Sequence, residues 1–129
     1  MHYPIAIEIG DEAHTFGVAV PDLPGCFSAG DTLDEAMINA KEAVVGWIET
    51  MLDRGEAIPQ PSPIEALRAD HPEFKDWIWA VVHIDPAMLD DKVERVNITL
   101  PRRVLYRLDA AARAAGESRS GFIARMALS

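Results

Sequence analysis

Residues 20–36 read VPDLPGCFSAGDTLDEA, and this run decides the fold. Pro21, Pro24 and Gly25 make a rigid loop, the apolar stretch 26–29 follows, and Gly30-Asp31 turns the chain. Thr32 with Glu35 three positions on is a capping box, in which a threonine oxygen serves the unpaired amide of the first turn. A helix is therefore predicted to open at Thr32. Leu33, Ala36, Met37, Ala40, Val44, Trp47, Ile48, Met51 and Leu52 keep helical spacing, and Gly55 supplies the stop, which gives about six turns with one wet face.

Working outward, residues 3–9 alternate, with Tyr3, Ile5, Ile7 and Ile9 on one face and Pro4, Ala6 and Glu8 on the other. Gly10-Asp11-Glu12 reads as a turn, and residues 14–20 alternate again, so the two runs are predicted to form a hairpin. Beyond the helix, residues 58–63 hold three prolines and must be extended, and residues 64–68 allow one helical turn. Residues 77–84 read as a strand whose faces, Trp77/Trp79/Val81/His83 and Ile78/Ala80/Val82/Ile84, are both largely apolar, so it should be covered on both sides.

Charge then divides the chain. Residues 1–92 hold 18 Asp and Glu against 5 Lys and Arg, a balance of −13, whereas residues 93–129 hold 3 against 7, a balance of +4. An acidic body with an arginine-bearing tail suggests parts that meet different partners. The expected organisation is an acidic domain over residues 1–85, a linker over 86–92 and a basic domain over 93–129. With 129 residues, one cysteine, no apolar run long enough to span a bilayer and no secretory signal pattern at the start, a cytoplasmic protein is expected.

In the basic part, residues 95–100 alternate strictly before Pro101, a helix follows with Val104, Leu105, Leu108, Ala111, Ala112 and Ala115 on one side, and Gly116 ends it. Ser118 or Ser120 can cap a second helix with Phe122, Ile123 and Met126 inward. So small a unit cannot bury its own apolar face, and it should dimerise. Pairing residues 95–100 with a two-fold mate makes an antiparallel ribbon, with Val96, Ile98 and Leu100 in a shared core and Arg95, Asn97 and Thr99 outward. The outward set is either a solvated face or a set of donors and acceptors for base edges. Residues 95–101, the first helix, Gly116 and the run Ser118-Arg119-Ser120-Gly121-Phe122-Ile123 resemble the ribbon-helix-helix family of bacterial repressors. The resemblance implies that Arg95, Asn97 and Thr99 contact bases in the major groove of operator DNA, and that Ser118, Arg119 and Ser120 hold a phosphate, a role suited to a helix N-terminus.

The run 20–36, continuing to Asn39-Ala40, resembles the HicB antitoxin family, and the likeness extends over about residues 3–84. It implies an α+β fold: a reduced ribonuclease-H-like domain, with an antiparallel sheet and one long helix, joined to a C-terminal ribbon-helix-helix. It also implies an antitoxin that binds and silences a HicA-type mRNA-cleaving toxin and represses its own operon. An acidic domain suits a competitor for an RNA-gripping, cationic toxin. Trp77 and Trp79 share a strand face and are either core or an aromatic anchor for the toxin. A homodimer through the ribbon is expected, with a tetramer open if the first domain also pairs.

No catalytic residue, metal site or cofactor is expected. The carboxylates of Asp11, Glu12, Asp22, Asp31, Asp34 and Glu35 lie in turns and a helix cap, where they are structurally favoured. Cys26 reads as a small packed side chain, and His2, His14, His71 and His83 lack ligand spacing. The alternative is a ribbon-helix-helix repressor whose first domain senses a small molecule.

Overall fold

Strand β1, His2–Glu8, lies between β2, Phe16–Ala19, and β4, Ile78–His83, and β3, Phe27–Gly30, extends the far side, giving the order β3-β2-β1-β4. Every pairing is antiparallel. The computed structural model covers residues 1–129 and resolves into two units, Met1–Asp91 and Lys92–Ser129.

In the first unit the alternation of β1 sets the core. Tyr3, Ile5 and Ile7 are buried on one face, joined by Val18, Val20, Val82 and Ile84. Helix α1, Leu33–Asp53, lays Ala36, Ala40, Val44 and Ile48 across that face, and their spacing of four keeps them on one stripe. Thr32 Oγ1 accepts a 3.1 Å bond from the Glu35 amide, as the capping pattern requires. The helix ends with Gly55 in the left-handed region (φ 69°), the Gly55 amide donating to Leu52 and the Glu56 amide to Met51. Small residues bring α1 against the sheet: a Cβ on Gly30 would collide with the backbone of Ala36.

The hairpin forms, but with β1 shifted by one residue and a second strand shorter than the alternation suggests. The β1–β2 ladder runs from Ala6↔Ala19 to Glu8↔Gly17, and Ile9 is left 62% exposed. Asp11 explains the shortening, because its Oδ1 accepts from the amides of Ala13 and His14 at 2.8 and 2.9 Å and holds a turn where the second strand was expected to begin. The apolar stretch after the proline loop is a true edge strand, β3, in register with β2 through Ala19↔Phe27 and Phe16↔Gly30. Residues 64–68, read as a single turn, belong to the longer helix α2, Ile64–Asp70, and a 3-10 turn follows at Pro72–Phe74. The loop before α2 is tied down, since Ser62 donates to Asp22 through its amide at 2.8 Å and its hydroxyl at 2.7 Å, and the Tyr3 hydroxyl donates to Pro59 at 2.6 Å. Residues 86–92, expected as a linker, include a 3-10 turn, Pro86–Leu89, whose Leu89 packs on the first unit's core.

In the second unit, helices α3, Arg102–Ala114, and α4, Arg119–Leu128, are joined at Gly116 (φ 69°), where no L side chain sits comfortably. Residues 95–100 carry no regular secondary structure. The reason is physical: a strand exists only beside a bonded neighbour, and this unit holds no second strand. No helix of the chain is long and apolar enough to cross a membrane.

Candidate functional site

The basic unit offers cations without carboxylate partners: Arg95, Arg102, Arg103 and Arg107 form no salt bridge. Arg95, Asn97 and Thr99 are all exposed, but so are Val96 (72%) and Ile98 (63%), so one chain alone does not separate the polar face from the apolar one. The unit buries a single apolar side chain, Ala112, and leaves Tyr106, Met126 and Leu128 in water as well. For a unit of this size that is little burial to set against the entropy of ordering the chain.

At the start of α4, Ser118 is the cap, and its Oγ accepts from the Gly121 amide at 3.0 Å. The amides of Arg119 and Ser120 fall in the first turn, where no carbonyl of the helix can reach them, so this end can take an anion. Arg119, expected beside Ser118 and Ser120 as a phosphate ligand, is placed differently. Its guanidinium grips Asp109 of α3 with two parallel bonds, Nε to Oδ1 at 2.8 Å and a terminal nitrogen to Oδ2 at 2.9 Å. That hydrogen bond, reinforced by the Arg119 charge, lowers the Asp109 carboxyl below its ordinary value and raises Arg119. The pair braces α3 against α4, and Asp109 was invisible to sequence reading because its partner stands ten residues away. Arg125 is similarly engaged, bonded to Glu117 at 2.6 Å and lying 5.2 Å from the Phe122 ring.

In the acidic unit, Trp77 and Trp79 sit on the sheet face opposite α1. Trp77 immediately precedes β4, with its ring 4.5 Å from Phe74, and Trp79, opposite Ala6 in the ladder, meets Phe74 edge-on at 6.3 Å. His71 stacks on Phe74 at 5.6 Å. Both tryptophans are therefore half-buried members of an aromatic cluster, and the Trp79 indole N–H is buried with no acceptor. The freely presented aromatic on this face is Phe27, 69% exposed at the start of β3. Nothing in the sequence singles it out, because only the β2–β3 register shows that it shares the face of Ala19, Ala6 and Trp79.

The remaining polar groups have structural work. Trp47, expected in the core, packs against it and donates from Nε1 to the Pro24 carbonyl at 3.0 Å. Cys26 is buried and desolvation raises its thiol pKa, which disfavours the thiolate a nucleophile needs. His14 bonds Asp11 at 2.9 Å and lowers that carboxyl; His71 does the same for Glu73. No group of three or more His, Cys, Asp or Glu is placed to hold a metal ion.

Comparison with known proteins places these features. A family model described as the HicB-like antitoxin of bacterial toxin-antitoxin systems matches residues 3–127. The crystal structure of the antitoxin HicB from Burkholderia pseudomallei is similar at a TM-score of 0.64 and 43% identity, over 99% of this chain and 96% of that one. A chain from a HicA3 and HicB3 toxin-antitoxin complex is similar at a TM-score of 0.55 and 36% identity, over 67% of this chain and all of that one. In sequence, a 14.9 kDa protein from the rep-hol intergenic region of Haemophilus phage HP1 is 46% identical over 129 residues, covering 98% of this chain and 95% of the phage protein.

Proposed function

The chain belongs to the HicB-like antitoxin family, and on that premise we propose that its acidic unit neutralises a HicA-type mRNA-cleaving toxin while its basic unit represses the cognate operon by binding operator DNA. The observation that carries this reading is the division of charge along one chain, a balance of −13 over residues 1–92 and +4 over 93–129, in a protein matched by the family over nearly its full length. A protein that grips RNA presents cations to phosphates, so an acidic domain competes for the same surface; a protein that grips operator DNA needs the opposite sign. The solved HicA3 and HicB3 complex, similar to two thirds of this chain, supports a toxin partner. Both activities are steric and electrostatic, with no bond chemistry assigned to this chain, and both partners belong to the cytoplasm.

For DNA, two copies of the basic unit pair through residues 95–100. The exposed Val96 and Ile98, with Leu100, enter a shared core, and Arg95, Asn97 and Thr99 turn toward base edges in the major groove. Ser118, Ser120 and the first-turn amides of α4 take a backbone phosphate, and Arg119 acts through Asp109 as a brace. A second pairing through the first unit would make a tetramer of such dimers. The test uses the full chain with the protein from the adjacent small reading frame. Added in equimolar amount, the chain should stop that protein's cleavage of RNA, and alone it should retard DNA from upstream of its own gene. Undiminished cleavage in the presence of the chain would overturn the antitoxin half; failure to prefer the upstream DNA over an unrelated duplex would overturn the repressor half.

A further inference from the structure

On the face of the sheet turned away from α1, a cleft of about 240 Å³ opens between the proline loop and the 3-10 turn Pro72–Phe74. Its floor is Ala19 and Leu23, both buried, and its walls include Pro24, Phe27, His71 and Phe74. We propose that this cleft is where the toxin docks, by inserting an arginine side chain between Phe27 and Phe74 with its guanidinium directed at Glu73. The inference rests on the antitoxin reading above and adds to it the contact surface and the chemistry of the inserted group.

Four observations converge on that occupant. The volume is smaller than the roughly 300–1,000 Å³ of sites that enclose small ligands, and it suits one long side chain of a larger partner. The lining is aromatic and proline-rich with a single carboxylate, Glu73, whose Oε1 already meets His71 at 2.9 Å so that an incoming cation uses Oε2. This is a setting for a cation that is planar and weakly hydrated: guanidinium stacks on aromatic rings and bonds a carboxylate with directed N–H groups, whereas ammonium does neither as well. The walls are already fixed. The loop is held by bonds between Val20, Leu23 and Cys26 at 3.0–3.1 Å and by Trp47 on the Pro24 carbonyl, and Phe74 is wedged among His71, Trp77 and Trp79. Insertion therefore orders little that is not ordered already. Finally, Phe27 is 69% exposed at the edge of a sheet whose other aromatic side chains on this face are packed, and the unit that carries it is strongly acidic, so a basic partner is drawn to it.

The same geometry assigns the two tryptophans a different task from direct contact: they buttress Phe74, and Phe27 and Glu73 meet the partner.

The test measures binding of the full chain to the purified protein from the adjacent small reading frame, by calorimetry at two salt concentrations. Phe27→Ala should weaken binding at least tenfold, and Phe27→Tyr, which keeps the ring face, should restore it to within about threefold of the parent. Glu73→Lys should weaken binding at least tenfold and flatten its dependence on salt. Ile38→Ala, which removes an equally exposed apolar group (61%) from α1, should change affinity less than twofold. Unchanged melting temperatures in these surface variants would show that the fold is intact. Parent-like binding by both Phe27→Ala and Glu73→Lys would overturn the proposed cleft and leave the antitoxin reading standing. A parent chain that does not bind the neighbouring protein would overturn both.

Discussion

The two units treat their apolar residues in opposite ways. The first packs Tyr3, Ile5, Ile7, Val44, Ile48 and their neighbours into a sealed core, whereas the second buries Ala112 alone and leaves Val96, Ile98 and Tyr106 in water. Their composition does not explain this, since α3 and α4 carry ample Val, Leu, Ile and Met. Topology does. A four-stranded sheet and a helix of 21 residues can close a core from one chain, because the helix covers the apolar face of the sheet along its length. Two short helices and an unpaired segment cannot. Completion within one molecule goes with the unit proposed to meet a protein, and incompletion goes with the unit whose proposed ligand is itself two-fold symmetric.

That contrast can be broken in order of expected effect. Ile98→Asp would place two carboxylates in the shared core of the proposed ribbon, and it should abolish DNA binding at all practical concentrations while toxin inhibition survives. A gel-shift titration beside an RNA-cleavage assay reads both, and retained DNA binding would show that residues 95–100 do not pair. Ile48→Ala addresses the other unit and should cost about 2–5 kcal/mol in a chemical-denaturation midpoint series, because the site is fully buried. This loss should not depend on protein concentration, and a concentration-dependent loss would mean that the first unit also needs a partner to fold. Asn97→Ala should weaken operator binding by about 1–3 kcal/mol and relax sequence preference while the dimer stays intact. Equal affinity for operator and scrambled DNA in the parent would remove the basis for that expectation.

The smallest effect belongs to the brace. Asp109→Ala should lower DNA affinity modestly and by the same factor for every sequence, since it loosens α4 without touching bases. If Arg119 instead serves DNA directly, freeing it from Asp109 should raise affinity, so the sign of the change decides. Acid should mimic the variant. The Asp109 carboxyl is lowered by Arg119, so the brace is intact above the ordinary carboxylate pKa of about 4 and is lost as pH falls through the lowered value. Chemical shifts of the Arg119 side chain followed between neutral pH and pH 2 would record it.

What could be read from residue order alone follows the range of the interaction. The start of α1 at Thr32 and its stop at Gly55 are written in neighbouring residues. Strand β4 is legible on one face only, where Ala80 and Val82 pack on the core, whereas Val81 (44% exposed) and His83 leave the other face in water, so the strand is not covered on both sides as its composition suggests. The position of Phe27 depends on a register between strands, and the placement of Trp77 and Trp79 depends on Phe74 reaching the sheet from an intervening turn. Arg119 reads as a surface cation until Asp109 is brought beneath it by the turn at Gly116. Residues 95–100 are a separate case, because the alternation is plain in the sequence and its realisation needs atoms that belong to another molecule.

Susceptibility to cleavage follows from the stretch that opens the second unit. A protease engages its substrate as an extended, unpaired backbone, and in the single chain residues 93–99, exposed and without regular structure, present one, whereas the first unit must unfold before it can be cut. Pairing of residues 95–100 in the proposed dimer would shield all but the start of that stretch. A single nick there would detach the basic unit and leave the acidic one folded. On the proposed division of labour, the cut chain would lose its hold on DNA while the acidic unit kept its hold on its protein partner.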